Sequence, residues 1–111
     1  MTTTSSPVRD RSVGVDGLGR SLIDGVTVYR LAVHCDHRGR LTEILRRDED
    51  PFRVFGQLYV TICYPGVVKA WHSHKRQTDL ITVVRGTAQV ALFDARDDSP
   101  TRGMVNEFFI G

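Results

Sequence analysis

The sequence predicts an all-β sandwich or barrel, on three observations. Short runs rich in β-branched and aromatic residues alternate with polar positions, Gly, Pro and Asp punctuate them at short intervals, and no window carries a helical pattern stronger than the strand signal. At 111 residues the chain is at most one small domain, and its 41% hydrophobic content is enough to build a core. So short a chain buries proportionally little surface, so a partner subunit would help it.

In chain order, residues 1–20, "MTTTSSPVRDRSVGVDGLGR", offer few large apolar groups. They are expected to form a flexible N-terminal arm, or to lie against a partner, ahead of a domain over residues 21–111. "VTVYRLAV" alternates, "DHRGR" is a turn and "LTEILR" reads as a return strand, so the pair suggests a hairpin. "DEDPF" is a loop. In "FGQLYVTICY", Leu58, Val60 and Ile62 fall on one face, and Gln57, Tyr59, Thr61 and Cys63 on the other. Pro65 and Gly66 break that strand. "VKAWHSH" and "DLITVV" read as two strands around the polar bend "KRQT", and Arg85, Gly86 and Thr87 turn the chain into "AQVALFD". The loop "ARDDSPTRG" leads to "VNEFFI". The sequence stops on the apolar "EFFIG", which reads as a fold with a part missing or supplied by another chain.

The net charge of +2 comes from scattered arginines. Arg46 and Arg47 are followed directly by Asp48, Glu49 and Asp50, which fits a solvated turn better than a nucleic-acid footprint, so nucleic acid is set aside as a partner. There is no apolar leader core and no run of membrane-spanning length, so a cytoplasmic protein with no membrane partner is expected. Cys35 and Cys63 fit no zinc spacing and are expected to be small buried hydrophobes rather than a disulfide.

The chemistry concentrates in "GVVKAWHSHKRQTDLITVVRG", residues 66–86. On a strand His72 and His74 share a face, with Trp71 and Ser73 on the other. The bend returns the chain so that Asp79 can approach the same cavity, and Gly66 and Gly86 permit the turns at either end. Three readings stay open: a solvated polar face, metal ligation, or acid–base catalysis.

As a pattern, GxxxxxHxHxxxxDxxxxxxG resembles the first motif of the cupin superfamily, with Asp where cupins more often carry Glu. The resemblance implies a cupin jelly-roll β-barrel, incomplete within this chain. It also implies an alternative in which His72, His74 and Asp79 hold a divalent metal and act on a small polar ligand. Such a site usually takes another histidine from a second motif, and no histidine follows His74 here.

"DHRGRLTEILR", "FGQLYVTICYPGVVKAWHSH" and "VVRGTAQVALFDARDDSPTRG" together resemble the dTDP-4-dehydrorhamnose 3,5-epimerases, cupin-fold enzymes that work without metal. The likeness runs from about Val26 to Gly111 and is most distinctive at Asp94, Arg96, Ser99, Pro100, Thr101 and Gly103. It implies that His72 is the base removing protons α to the C4 ketone of a nucleotide-linked 4-keto-6-deoxy sugar. Lys69, where the family has Arg, would supply positive charge to the enolate. Arg38 and Glu43 match residues that contact the nucleotide, with Leu41 at the aromatic position between them. Gln57 matches a glutamine of the ligand-facing strand, His74 joins the substrate lining, and Asp79 stands where the family has lysine. The family's tyrosine proton donor, and the carboxylate that partners its histidine, lie in its second half. No cofactor is implied, and a homodimer is expected in which "VTVYRLAV" crosses to the partner sheet.

A non-catalytic binding module is the third reading of the whole chain. Simpler roles are open for several residues: Arg38 as turn chemistry, Glu43 as a solvated edge, Asp94 and Arg96 as a structural pair. His34 and His37 are weak ligands, splayed by their turn.

Overall fold

The computed structural model describes residues 12–49 and 51–111. Every regular element among them is a strand: β1 Ser12–Val13, β2 Val28–Tyr29, β3 His34–Asp36, β4 Gly39–Leu41, β5 Ala88–Phe93 and β6 Val105–Ile110. They pair as three antiparallel two-stranded sheets, β1 with β2, β3 with β4 and β5 with β6. The all-β expectation holds, in small sheets consistent with an incomplete barrel.

β5 and β6 form the longest ladder among the described residues, in register from Ala88 opposite Ile110 to Phe93 opposite Val105. The period-2 pattern of "AQVALF" and "VNEFFI" decides their faces. Val90, Leu92, Asn106 and Phe108 turn toward the covered side, while Gln89, Ala91, Phe93 and Phe109 stay exposed. Among the described residues, Ile23 and Phe108 are the buried hydrophobic ones, at 5% and 9% exposure.

The cover comes from the turn after β1. Val15 bridges Ser21, the Asp16 N–H donates to Arg20 O at 2.9 Å, and Gly19 adopts φ 78° to close the turn. The Gly17 N–H then donates to Glu107 O at 2.7 Å, and the Glu107 N–H donates to Asp16 Oδ2 at 3.0 Å. The outer edge of β6 therefore meets protein instead of lying open to another strand. Asn106, fully buried, accepts from the Ile23 N–H at 2.8 Å and donates to Ser21 O at 2.9 Å.

Of the arm expected over residues 1–20, residues 1–11 lie outside the described residues. Residues 12–20 are bonded to β2 and β6. Composition under-reported this segment because polar groups, rather than large apolar ones, attach it.

The other strand expectations need correction. Of "VTVYRLAV" only Val28 and Tyr29 lie in a ladder, and of "LTEILR" only Leu41; the expected hairpin at "DHRGR" is present but is built by β3 and β4. Among the described residues between 42 and 87 there is no strand, although "FGQLYVTICY", "VKAWHSH" and "DLITVV" all read as strands. Val54 and Val68 are 84% and 85% exposed, so their side chains find little cover. Alternation makes a segment fit a pleated, half-buried surface, but a strand also needs a neighbour with an open edge. Cys35 and Cys63 are exposed free thiols, contrary to the expected burial, because the segments carrying them are uncovered.

Candidate functional site

The opening turn of the candidate site is set by two residues. Pro65 occupies the second position of the turn and Gly66 the third with φ 76°, and the Val67 N–H donates to Tyr64 O at 3.1 Å, a type II arrangement. The Cys63 thiol donates to Val67 O at 3.0 Å. Four residues beyond Pro65, the Lys69 ammonium donates to Thr61 Oγ1 at 2.7 Å and to Ile62 O at 2.5 Å. Lysine has three N–H donors, so two are engaged by residues just before the turn. Gly86 closes the far end of the stretch with φ 80°.

His72 is exposed and has no hydrogen-bond or ion-pair partner among the described residues. His74 is different. Its Nε2 lies 3.4 Å from Asp79 Oδ2, with the two side chains 38% and 44% exposed. The second oxygen of Asp79 accepts from Gln77 Nε2 at 2.8 Å. The bend "KRQT" thus returns Asp79 to His74, as its spacing implied. Among the described residues no three His, Cys, Asp or Glu side chains are placed to hold a metal ion. His74 and Asp79 come together as a pair, and His72 does not complete a donor set with them.

The nucleotide-contact candidates are occupied locally. The Asp36 carboxylate accepts from the Arg38 N–H at 2.8 Å and from Arg38 Nη2 at 2.6 Å. The Arg38 side chain and backbone N–H hold Asp36 below its ordinary range despite some desolvation. That is the turn-chemistry reading of Arg38. Glu43 Oε2 lies 3.8 Å from Arg46 Nη1, while Arg46 also binds both oxygens of Asp48 at 2.9 Å. Gln57 is exposed, without a hydrogen-bond partner among the described residues.

Asp94 anchors the loop between β5 and β6. It is 3% exposed and accepts from Arg96 Nε at 2.9 Å, from Ser99 Oγ at 2.5 Å and from Thr101 Oγ1 at 2.7 Å. These bonds, the Arg96 guanidinium first, hold its carboxyl far below the usual carboxylate range although burial opposes them. Arg96 Nη2 reaches on to Asp24 O at 2.6 Å, and the Asp24 N–H donates to Thr101 Oγ1 at 2.9 Å. Asp94 and Arg96 therefore form the structural pair that the sequence left open. The recess beside this loop is lined by Asp24, Arg96, Asp97, Asp98, Ser99 and Pro100, none of them a predicted substrate or catalytic residue.

Sequence reasoning did not single out Asp16 and Asn106. A signal was present for Asn106, because a polar residue at an inward position of a strand demands buried hydrogen-bond partners.

The fold and the bend together define an all-β protein that presents two imidazoles and a carboxylate from an exposed segment, side chains suited to moving protons. The chain belongs to the family described as Polysaccharide biosynthesis C-terminal domain, whose model matches residues 34–107. It is 44% identical over 90 residues to the Bacillus subtilis protein named spore coat polysaccharide biosynthesis protein SpsL, covering 81% of this chain and 60% of that relative. It is 41% identical over 91 residues to the Haloferax volcanii protein named probable low-salt glycan biosynthesis epimerase Agl13, covering 80% of this chain and 58% of that one. The chain thus spans about three fifths of the length of these curated relatives. No solved structure matches. Arg38, Glu43, Gln57, Lys69, His72, His74 and Asp79 all fall inside the span matched to the family. No helix among the described residues is long and apolar enough to cross a membrane.

Proposed function

We propose that the protein is an isomerase of deoxysugar or polysaccharide biosynthesis that epimerises a nucleotide-linked 4-keto-6-deoxy sugar, of the dTDP type, beside its ketone. The observation that carries this reading is His72: an exposed imidazole without a protein partner among the described residues, inside the span matched to a polysaccharide-biosynthesis family. The relative named as a probable glycan biosynthesis epimerase supports the reaction type.

The chemistry follows from the ketone. Protons at C3 and C5 are acidified because the electron pair left behind delocalises onto the C4 oxygen. A neutral imidazole accepts such a proton on its free ring nitrogen, contributing about 10²- to 10⁴-fold in rate as a general base. Return of a proton to the opposite face inverts the centre. The developing oxyanion needs a donor or a cation, and the remaining N–H of Lys69 is available to supply it. Arg38, Glu43 and Gln57 are the proposed contacts to the nucleotide and sugar, and binding there requires Arg38 and Glu43 to exchange their present partners. No cofactor or metal takes part in this reaction, and a cytoplasmic homodimer is its proposed setting.

The test is solvent-deuterium exchange into a dTDP-4-keto-6-deoxy sugar, with metal quantified in the same sample. Exchange at C3 or C5 that falls by about 10²-fold or more in His72→Asn, without stoichiometric metal, is the expected result. No exchange in the native chain, or exchange that survives His72→Asn, overturns it.

A further inference from the structure

We infer that a second copy of this chain covers residues 54–68, and that residues 56–64 of the two copies pair antiparallel about a two-fold axis at Val60. The inference goes beyond the sugar-epimerase reading and names the surface on which the proposed homodimer forms.

The first observation is area. The accessible surface is 10025 Å², whereas a folded monomer of 12.5 kDa exposes about 6,200 Å². Against that difference can be set all that an unfolded chain would expose over residues 1–11 and 50, about 2,000 Å². An excess of roughly 1,800 Å² remains. A stable homodimer buries about 1,000–2,500 Å² on each partner, so the excess is of the size that one copy covers on another. Its apolar part gathers in one run. Leu58 and Val60 are 82% and 81% exposed, and Phe55, Ile62 and Tyr64 are exposed beside them. No backbone N–H of residues 55–63 donates to another described residue, so the run also lacks a neighbouring strand.

Charge and register select the occupant. Residues 54–68 are the longest uncharged run of the sequence, between Arg53 and Lys69. Paired with itself, the run sets no like charges against each other, whereas self-pairing of the β3–β4 hairpin would bring Arg38 and Arg40 of two copies together. A two-fold axis makes identical segments antiparallel without further provision. Residues directly opposite each other share a face, so Leu58, Val60 and Ile62 stay on one side only if the axis falls at a residue and not between two. The centre of those three is Val60. Leu58 of one copy then stands opposite Ile62 of the other, and Val60 meets its own equivalent. Gln57, Thr61 and Cys63 fall on the other face and stay open to ligand and reagent. The pairing also steadies the candidate site, because Gln57 lies in the run and Lys69 donates to Thr61 Oγ1 and Ile62 O within it.

The test uses the full chain without substrate, so its failure leaves the sugar reading untouched. Sedimentation of the native chain should give a dimer of about 25 kDa, twice the chain mass, with alternate amides of residues 57–63 protected from hydrogen exchange. Val60→Lys and Val60→Glu should each weaken the dimer at least about tenfold, because each sets like charges across the axis. Mixed in equal amounts, the two variants should recover it as a mixed dimer. Slow exchange in β5 and β6 reports that each variant remains folded.

A native chain that sediments as a monomer overturns the inference. Free exchange over residues 54–68 would then leave that face to another kind of polypeptide, and protection there would place its cover within the chain. A dimer that exchanges freely over residues 57–63, or that survives both variants, overturns it as well. So does a mixture of the two folded variants that stays monomeric.

Discussion

The side-chain amide of Asn106 donates to the carboxylate of Asp16 at 3.3 Å, joining residues 90 positions apart. Around that bond the turn after β1 is attached to β6. Replacing Asn106 by Ala leaves the Ile23 N–H and the Ser21 carbonyl without their partner. The expected loss is about 1–3 kcal/mol for each buried group left unpaired, read from denaturant unfolding, with faster amide exchange at Ile23 as the local signature.

Gly17 sits against β6 so closely that a Cβ would stand 2.9 Å from Glu107 O and 3.0 Å from Phe109 Cδ2. Gly17→Ala should destabilise the protein by about 1–3 kcal/mol, the usual range for overpacking. Gly14 has nothing within 4 Å of the same added atom. Gly14→Ala should therefore change stability by no more than about 0.5 kcal/mol, and equal effects at the two sites would contradict the packing described.

Acid should release both ends of this assembly. Asp94 is held low by Arg96, Ser99 and Thr101 against its burial. For Asp16, burial pushes the pKa up, but the N–H groups of Glu107, Arg20 and Leu18 and the Arg20 side chain outweigh it and hold it well below the ordinary value of 3.8. Below that ordinary value the unfolded chain binds more protons than the folded one. The stabilisation is therefore fully present above it and is lost as pH falls toward the depressed native values. Urea midpoints measured from pH 7 downward should drop below about pH 4, and Asp94→Asn should flatten that drop.

Both thiols should react without denaturant. Cys35 and Cys63 are exposed, so a thiol reagent applied to the native chain should label both at rates near those of the unfolded protein. Protection of either one would mean that its segment is covered.

Lys69→Met removes the bonds to Thr61 and Ile62. Because the site is exposed, the cost should be modest, about 0.5–1.5 kcal/mol or less, and confined to amide exchange in the turn around Pro65 and Gly66. Thr61→Val should reproduce part of the loosening while leaving the charge in place. A larger effect of Lys69→Met on exchange into the sugar than Thr61→Val produces would separate its proposed role at the oxyanion from its role beside the turn.

Much of the described fold was legible because its causes are local. The strand-like runs "AQVALFD" and "VNEFFI" found β5 and β6, Asp36 to Gly39 found the hairpin turn, and Pro65 with Gly66 marked the break where the chain turns. The approach of Asp79 to His74 followed from the length of the bend between them. What escaped depends on remote neighbours. Nothing near Asp16 announces Asn106, and alternation in residues 55–64 signals a strand without naming the edge it would pair with. The thiol of Cys63 was misread for the same reason, since its apolar neighbours are themselves uncovered. Arg38 and Glu43 carried two meanings in the sequence, and only the folded structure shows that Asp36 and Arg46 hold them.

The attachment of the early turn to the last strand also sets an order of events during synthesis. Asp16 and Ile23 leave the ribosome long before Asn106 and Glu107, across separations of 83 to 91 residues. At ordinary translation rates that interval is roughly 5 to 20 s. Until it has passed, the turn has no seat, and closing so long a loop carries an entropic cost that nearby contacts do not. The small core should consequently form only once β6 has been made, and a ribosome stalled before β6 should hold a chain whose residues 12–25 are open to protease.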